Sequence, residues 1–250
     1  MDFRILKPRG KLSDHIQAIW SVKTIGGQHG TIKKPLYCDG GSGVTFLLSG
    51  EACLSSSLIS DPIIVQKYNH KTQIIELSHG AQLCGIRFQP GMMLPSLINN
   101  DSQIMSVLTS LHEQLSEQNQ SRHLTTLYRW CGQQILPREA AFAKRAKLIK
   151  LATQGKIGEQ FPYNQRQVER RFHQWLGMSP KYFQRLRRVH SSLNKLRENP
   201  DVSLADFALE HGFSDQAHMT REFKTFVLTT PGELSRRMKN PLSMSLKKQH

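Results

Sequence analysis

The feature that most narrows the folds open to this chain is an internal duplication toward its C-terminal end. Ile157-Gly-Glu-Gln-Phe-Pro-Tyr-Asn164 aligns with Phe207-Ala-Leu-Glu-His-Gly-Phe-Ser214 at an offset of 50 residues. Arg171-Phe172 aligns with Glu222-Phe223, and Met178-Ser179-Pro180 with Thr229-Thr230-Pro231, at an offset of 51. Two copies of one supersecondary unit therefore follow each other.

The second copy explains its own shape. Ser203 and, three residues on, Asp206 suit a helix start, because a hydroxyl can accept from orphan backbone amides and a carboxylate is favoured at the positive helix end. Leu204, Phe207 and Ala208 give that helix an apolar face. Gly212 is expected to tolerate positive φ where the helix stops, Phe213 to plug the space between helices, and Ser214 to cap the next helix. Helix, tight turn and second helix at this spacing make a helix-turn-helix.

The helix after the turn, over 215–226, should bury Met219, Phe223 and Phe226 and present Gln216, Ala217, Thr220 and Arg221. Its counterpart, over 165–176, should bury Val168, Phe172 and Trp175 and present Arg166, Glu169, Arg170 and His173. Arginine bonds guanine bidentately, glutamine bonds adenine and glutamate accepts from cytosine, so both faces can read base edges. Between the units, a helix over 180–199 alternates apolar Phe183, Leu186, Val189, Leu193 and Leu196 with Lys and Arg. A rigid connector of that length could place two reading helices in successive major-groove segments about 34 Å apart. Arg171, Lys181, Arg185, Arg188, Lys224 and Arg236 are the expected phosphate contacts.

Charge agrees with a polyanionic partner. Residues 1–137 hold 12 Lys and Arg against 9 Asp and Glu, whereas residues 138–250 hold 22 against 10. Cations concentrated in this way displace counterions from a duplex and supply sequence-independent affinity. No apolar run approaches the roughly 18 residues that span a bilayer. The polar start Met1-Asp2-Phe3-Arg4 is no signal peptide, so a cytoplasmic protein without membrane contact is expected. Cys38, Cys53, Cys84 and Cys131 form no Cys-x-x-Cys pair, and buried reduced thiols are expected rather than a zinc or dithiol site.

The first hundred residues carry short β-type runs at 17–24, 44–48, 63–66, 74–77 and 83–88, separated by turn-forming clusters. Two amphipathic helices follow, one marked by Ile104, Val107, Leu108, Leu111 and Leu115, the other by Leu124, Leu127, Tyr128, Cys131 and Ile135. Each could pack on its own domain or serve a homodimer. Pro137 marks a boundary before a basic helix over 138–153. The expected class is α+β in two domains. An antiparallel β-rich domain with terminal helices spans 1–136, an all-α domain of about seven helices spans 137–238, and a mobile basic tail spans 239–250.

Residues 138–238 resemble the DNA-binding domain of AraC/XylS-type transcription regulators. The resemblance rests on Leu204-Ala-Asp-Phe-Ala-Leu-Glu-His-Gly-Phe-Ser-Asp-Gln-Ala-His-Met-Thr-Arg-Glu-Phe223 with Thr230-Pro231, and on Gln167-Val-Glu-Arg-Arg-Phe172 with Gly177-Met-Ser-Pro180. It implies base contacts from Arg166, Glu169 and Arg170 in the first unit and from Gln216, Ala217, Thr220 and Arg221 in the second. The chain departs from the pattern at Pro162, which stands at the turn position of the first unit where Gly is usual, and at Leu228, which replaces the Gly before Thr-Pro. Gly155 and Gly158 weaken the leading helix of the first unit. Leu83-Cys-Gly-Ile-Arg-Phe-Gln-Pro-Gly91 is similar to a segment of the strand-rich domains that precede this module, which implies a cupin-like barrel for effector binding, dimerisation or both.

The expected function is a sequence-specific regulator that binds promoter DNA, is controlled by a signal at the N-terminal domain and acts with RNA polymerase. A constitutive DNA-binding protein whose N-terminal domain only dimerises is the alternative, and an enzyme fused to the module is a third. The last would need a zinc-binding cysteine cluster and a Pro-Cys-His-Arg motif, neither of which is present. Asp39-Gly-Gly-Ser-Gly43 lacks the Lys-Ser/Thr ending of a phosphate loop. His70, His79, Cys84 and Cys38 have no short metal-ligand spacing. No cofactor, metal or catalytic residue is expected.

Overall fold

The computed structural model describes residues 1–25, 31–154 and 164–239. Pro162, Gly155, Gly158 and the tail beyond Lys239 lie outside them. The described N-terminal strands are β1 (Asp2–Leu6), β2 (Ile16–Lys23), β3 (Ile32–Leu36), β4 (Ser42–Ser49), β5 (Ala52–Leu54), β6 (Ser57–Leu58), β7 (Ile63–Gln66), β8 (Gln73–Leu77) and β9 (Gln82–Phe88). They form two antiparallel sheets, one ordered β1-β2-β9-β4-β7 and one ordered β3-β8-β5-β6.

The period of two along each strand divides the larger sheet into two faces. Ile19, Val44, Phe46, Cys84, Ile86 and Phe88 are buried in the main apolar core. That face is covered by α2 (Ser102–Ser116) and α3 (Gln120–Ile135), which follow the short α1 (Pro95–Ile98). Trp20, Val22, Thr45 and Leu83 point the other way, toward the smaller sheet, and wall two adjoining cavities of about 440 and 320 Å³. Both cavities are bounded by Leu36, Thr45 and Ile75. The space between the two sheets, together termed the barrel, is therefore incompletely filled.

Two histidines tie the helices to the sheet. His112 Nε2–H donates to the Leu47 carbonyl at 2.9 Å. The buried His123 donates Nε2–H to the carbonyls of Leu115 and Gln118, while its Nδ1 accepts from the Ser21 hydroxyl at 3.2 Å. Burial holds the His123 pKa below the ordinary imidazole value against the opposing pull of those carbonyls.

Six helices form the described C-terminal part: α4 (Glu139–Thr153), α5 (Gln165–Leu176), α6 (Pro180–Glu198), α7 (Leu204–Glu210), α8 (Gln216–Val227) and α9 (Pro231–Lys239). Ser179 caps α6 by accepting the Tyr182 amide at 3.2 Å, and Pro180 occupies the first turn, where a missing N–H costs nothing. One apolar cluster runs without a break from Val44 and Phe88 in the barrel, through Met93 and Phe142, to Phe172, Phe183 and Phe223. The two parts are thus packed against each other. Arg145 of α4 bridges them, donating to the carbonyl of Gly91 at 2.7 Å while its guanidinium lies 5.0 Å from the Trp175 ring.

A buried charge cluster lies on the same boundary. Asp39 forms an ion pair with Arg87 and accepts the Gly41 amide at 2.8 Å, and its carbonyl accepts from Arg187 of α6 at 3.4 Å. Burial pushes the Asp39 carboxyl up, but the Arg87 charge and hydrogen bonds outweigh it and leave the pKa below the usual value. His190, on the next turn of α6, is pushed down by burial, with Asp39 opposing and Arg187, Arg197 and Arg87 reinforcing.

Candidate nucleic-acid interface

The second helix-turn-helix is built as its residues dictate. Gly212 has φ +75°, and the Phe213 amide then reaches back to the Ala208 carbonyl at 2.9 Å, closing α7 with a left-handed cap. Phe213 is buried between the helices. Arg188 of α6 secures this turn, donating to the Gly212 carbonyl at 2.6 Å with its guanidinium over the Phe213 ring.

The caps differ from expectation in detail. Asp215, not Ser214, is the N-cap of α8 and accepts the His218 amide at 2.6 Å; Ser214 instead bonds the His218 imidazole. The carboxylate wins because it carries the charge that complements the helix end. Ser203 occupies the N-cap of α7, but its hydroxyl takes no cap amide among the described residues.

Helix α5 begins with a capping box in which the Asn164 side chain accepts the Gln167 amide and Gln167 accepts the Asn164 amide. It buries Val168, Phe172 and Leu176 and turns Arg166, Glu169, Arg170 and His173 to solvent. Trp175, expected in the core, is half-buried between Arg145 and Arg171. Helix α8 buries Met219, Phe223 and Phe226 and exposes Gln216, Ala217 and Arg221. Thr220 is half-buried and returns its hydroxyl proton to the Gln216 carbonyl at 2.8 Å.

The flanking cations divide into two groups. Lys181, Lys224 and Arg236 are exposed. Arg171, half-buried, lies 5.7 Å from the Trp175 ring. Arg185 forks onto the buried Glu222 of α8, with its closest contact at 2.8 Å, and rests against the Phe226 ring. Arg185 and Arg188 thus brace the second unit from α6 in addition to adding positive charge.

Sequence reasoning gave no such role to the residues that grip the far ends of the two exposed helices, and weighed His70 only as a metal ligand. Tyr68 donates its hydroxyl to the Gln174 carbonyl at 3.3 Å, and His70 donates Nε2–H to the Leu176 carbonyl at 2.9 Å. The Thr72 hydroxyl donates to the Phe226 carbonyl at 2.5 Å and accepts the Cys38 amide at 3.2 Å. Tyr182 of α6 donates to the His70 carbonyl at 3.1 Å. Apart from Cys38 and Thr72, these partners lie more than a hundred residues apart, and no local pattern announces them.

Two solvent-facing helices, α8 closing a helix-turn-helix and α5 its counterpart in the sequence duplication, joined by one long helix, define a class: DNA-binding regulators of transcription. Comparison with known proteins gives the same class. A helix-turn-helix domain family matches residues 157–237. The probable transcription factor PqrA of Proteus vulgaris is 34% identical over 90 residues, which cover 36% of this chain and 70% of that protein. The chain belongs to the AraC-type family of helix-turn-helix transcription regulators. Among solved structures, ToxT from Vibrio cholerae is 11% identical with a TM-score of 0.42, covering 94% of this chain and 98% of that one. ToxT bound to (E)-4-(8-methylnaphthalen-1-yl)but-3-enoic acid gives 12% and 0.42, covering 95% and 100%. A likeness of that degree says nothing about what this chain binds. No helix among the described residues is long and apolar enough to cross a membrane.

Proposed function

We propose that this chain controls transcription by inserting α5 and α8 into two successive major-groove segments of promoter DNA, under a signal received by the N-terminal barrel. The observation that carries this reading is the pair of duplicated helices whose outward faces hold Arg166, Glu169, Arg170 and Gln216, Ala217, Thr220, Arg221. Arginines and glutamines on a helix exposed in this way have the donors that base edges demand. Lys181, Lys224 and Arg236 are placed to meet phosphate, with Arg171, Arg185 and Arg188 adding charge behind them. In this reading 1–136 is the regulatory part and 137–238 the DNA-binding part of a cytoplasmic, non-catalytic protein. RNA polymerase and a second copy of the chain are its further partners.

The unfilled barrel favours control by a small molecule over constitutive binding. Phe3, Ile5, Trp20, Val22 and Leu77 wall the smaller cavity, and Gln66, Asn69 and Lys71 contribute polar groups to the larger one. An apolar effector with a polar end suits such a lining. To control binding it must prefer one of two conformations of the protein.

Selection of bound sequences from a random DNA pool by the full-length protein, followed by salt titration of the winner, tests the reading. A motif of two short boxes about one helical turn apart is expected. Absence of enrichment, with binding that fades steeply as salt rises, would sink it. On the selected site Arg221→Ala should cost roughly 1–3 kcal/mol and relax preference at one position, whereas Lys181→Ala should weaken all sequences alike. Equal losses from Arg221→Ala on specific and random DNA would remove its base-reading role.

A further inference from the structure

The loop joining β7 to β8, residues 67–72, touches the last turns of both reading helices. Carbonyls in a last helical turn have no intrahelical donor and must be satisfied from outside. Here one short loop supplies donors to both helices: Tyr68 and His70 to α5, and Thr72 to α8. The loop sits close against α5, since a Cβ on Gly177 would lie 2.8 Å from His70 Nε2. Tyr182 bonds the same loop from the start of α6.

These contacts close a ring. Helix α5 is joined to α6 by the short segment at Gly177 and Met178, and α6 is joined to α8 by the Arg185–Glu222 fork. Core packing of Phe172 against the Phe183 ring and the Arg145 brace on Trp175 also hold α5. The loop adds a direct link from the end of α5 to the end of α8.

Resting on the reading that both helices enter DNA, we propose that loop 67–72 sets the distance and phase between the two reading helices, and hence the spacing between the two DNA boxes the protein accepts. Tyr68, His70 and Thr72 are positioning residues that touch no DNA. The same loop lines the larger cavity through Lys67, Tyr68, Asn69, His70 and Lys71. A molecule seated there bears directly on the element that fixes the spacing.

The full-length protein and two variants, Thr72→Val and Tyr68→Phe/His70→Ala, are titrated against duplexes carrying the two selected boxes. The boxes stand at the selected spacing and at spacings one to three base pairs longer or shorter; a further duplex carries one box alone. Each variant should keep wild-type affinity for the single box while its discrimination against wrong spacings falls, about fivefold for Thr72→Val, the worth of one hydrogen bond, and further for the double variant, which loses two. Thr72→Ser, which keeps the hydroxyl, should restore the wild-type profile. Should Thr72→Val not fold, Tyr68→Phe alone loses one exposed hydroxyl and gives the same readout. A spacing profile unchanged in folded variants, or equal losses on one-box and two-box duplexes, overturns the loop's role alone. A wild-type protein that enriches no sequence overturns the regulator reading itself.

Discussion

Helices α5 and α8 occupy equivalent places in the two copies of the repeat, yet they are held in place differently. Helix α8 packs on α7 through a complete turn at Gly212 and Phe213, and its buried Glu222 is forked by Arg185. Its end closes at Leu228 in the left-handed region, φ +62°. Helix α5 closes at Gly177, φ +67°, and its final carbonyls are taken by Tyr68 and His70 of the barrel. Its Trp175 is braced by Arg145, which also holds the Gly91 carbonyl. Among the described contacts, α8 takes a grip from the barrel at Thr72, beside a full turn and an ion pair from its own half, while α5 takes two hydrogen bonds from the barrel and a brace from Arg145. The two copies share an outward helix face and differ in the contacts that support it.

The core is where the copies should behave alike. Phe172→Ala and Phe223→Ala each empty a fully buried site and should each cost about 3–5 kcal/mol in denaturant unfolding. A small loss at either position would break the equivalence. The ion-pair support should separate them. Glu222→Gln leaves Arg185 without its charge partner and should cost about 2 kcal/mol, whereas Glu169→Gln on α5, an exposed residue bonded to Gln165, should leave the unfolding midpoint unchanged. The C-caps should respond with opposite signs. Leu228→Gly relieves a left-handed non-glycine residue and should raise stability by roughly 1 kcal/mol, while Gly177→Ala should lower it by at least about 1 kcal/mol. A loss of stability from Leu228→Gly would mean that its side chain packs more than its exposure indicates.

The smallest effect expected is on pH. Burial lowers the pKa of His190 on the boundary and of His123 inside the barrel part. The unfolded chain therefore takes up protons first as pH falls through the ordinary imidazole value of about 6.5. Stability conferred by both groups is complete above that value and declines below it. Asp39, whose pKa is lowered, adds its own loss only in the acid carboxylate range. Thermal unfolding followed from pH 7.5 to 5.5 should show a falling midpoint, and His190→Gln and His123→Gln should each flatten the slope. An unchanged slope in both variants would place the dependence elsewhere.

Much of the DNA-binding half was legible because its signals are local. The expected range 165–176 coincides with α5 as observed, and the expected 180–199 with α6 to within one residue. Strands β2, β4, β7, β8 and β9 were legible as apolar or alternating runs; β2, β4 and β9 are covered on both faces, by helices and by the second sheet. Strand β3, Ile32-Lys-Lys-Pro-Leu36, was not, since its exposed lysines and proline read as loop and its order comes from pairing with β8. Strands β5 and β6 are too short to carry a period. The outward residues of α5 and α8 followed from the helical period. The grip of Tyr68, His70 and Thr72 did not, because a hydrogen bond from a loop to a helix end leaves no trace in either local sequence.

The unbroken apolar cluster limits what recombination can do with this chain. Exchanging the C-terminal half near residue 137 for that of a relative would part Met93 and Phe88 from Phe142 and Phe183, and would leave Gly40 facing a new side chain where its own Cβ position already lies 2.8 Å from the Phe183 ring. Such a hybrid would present an apolar patch to water and invite aggregation. A working chimera would need its junction drawn through the contact surface, so that loop 67–72 and residues 38–41 travel with the helices they touch.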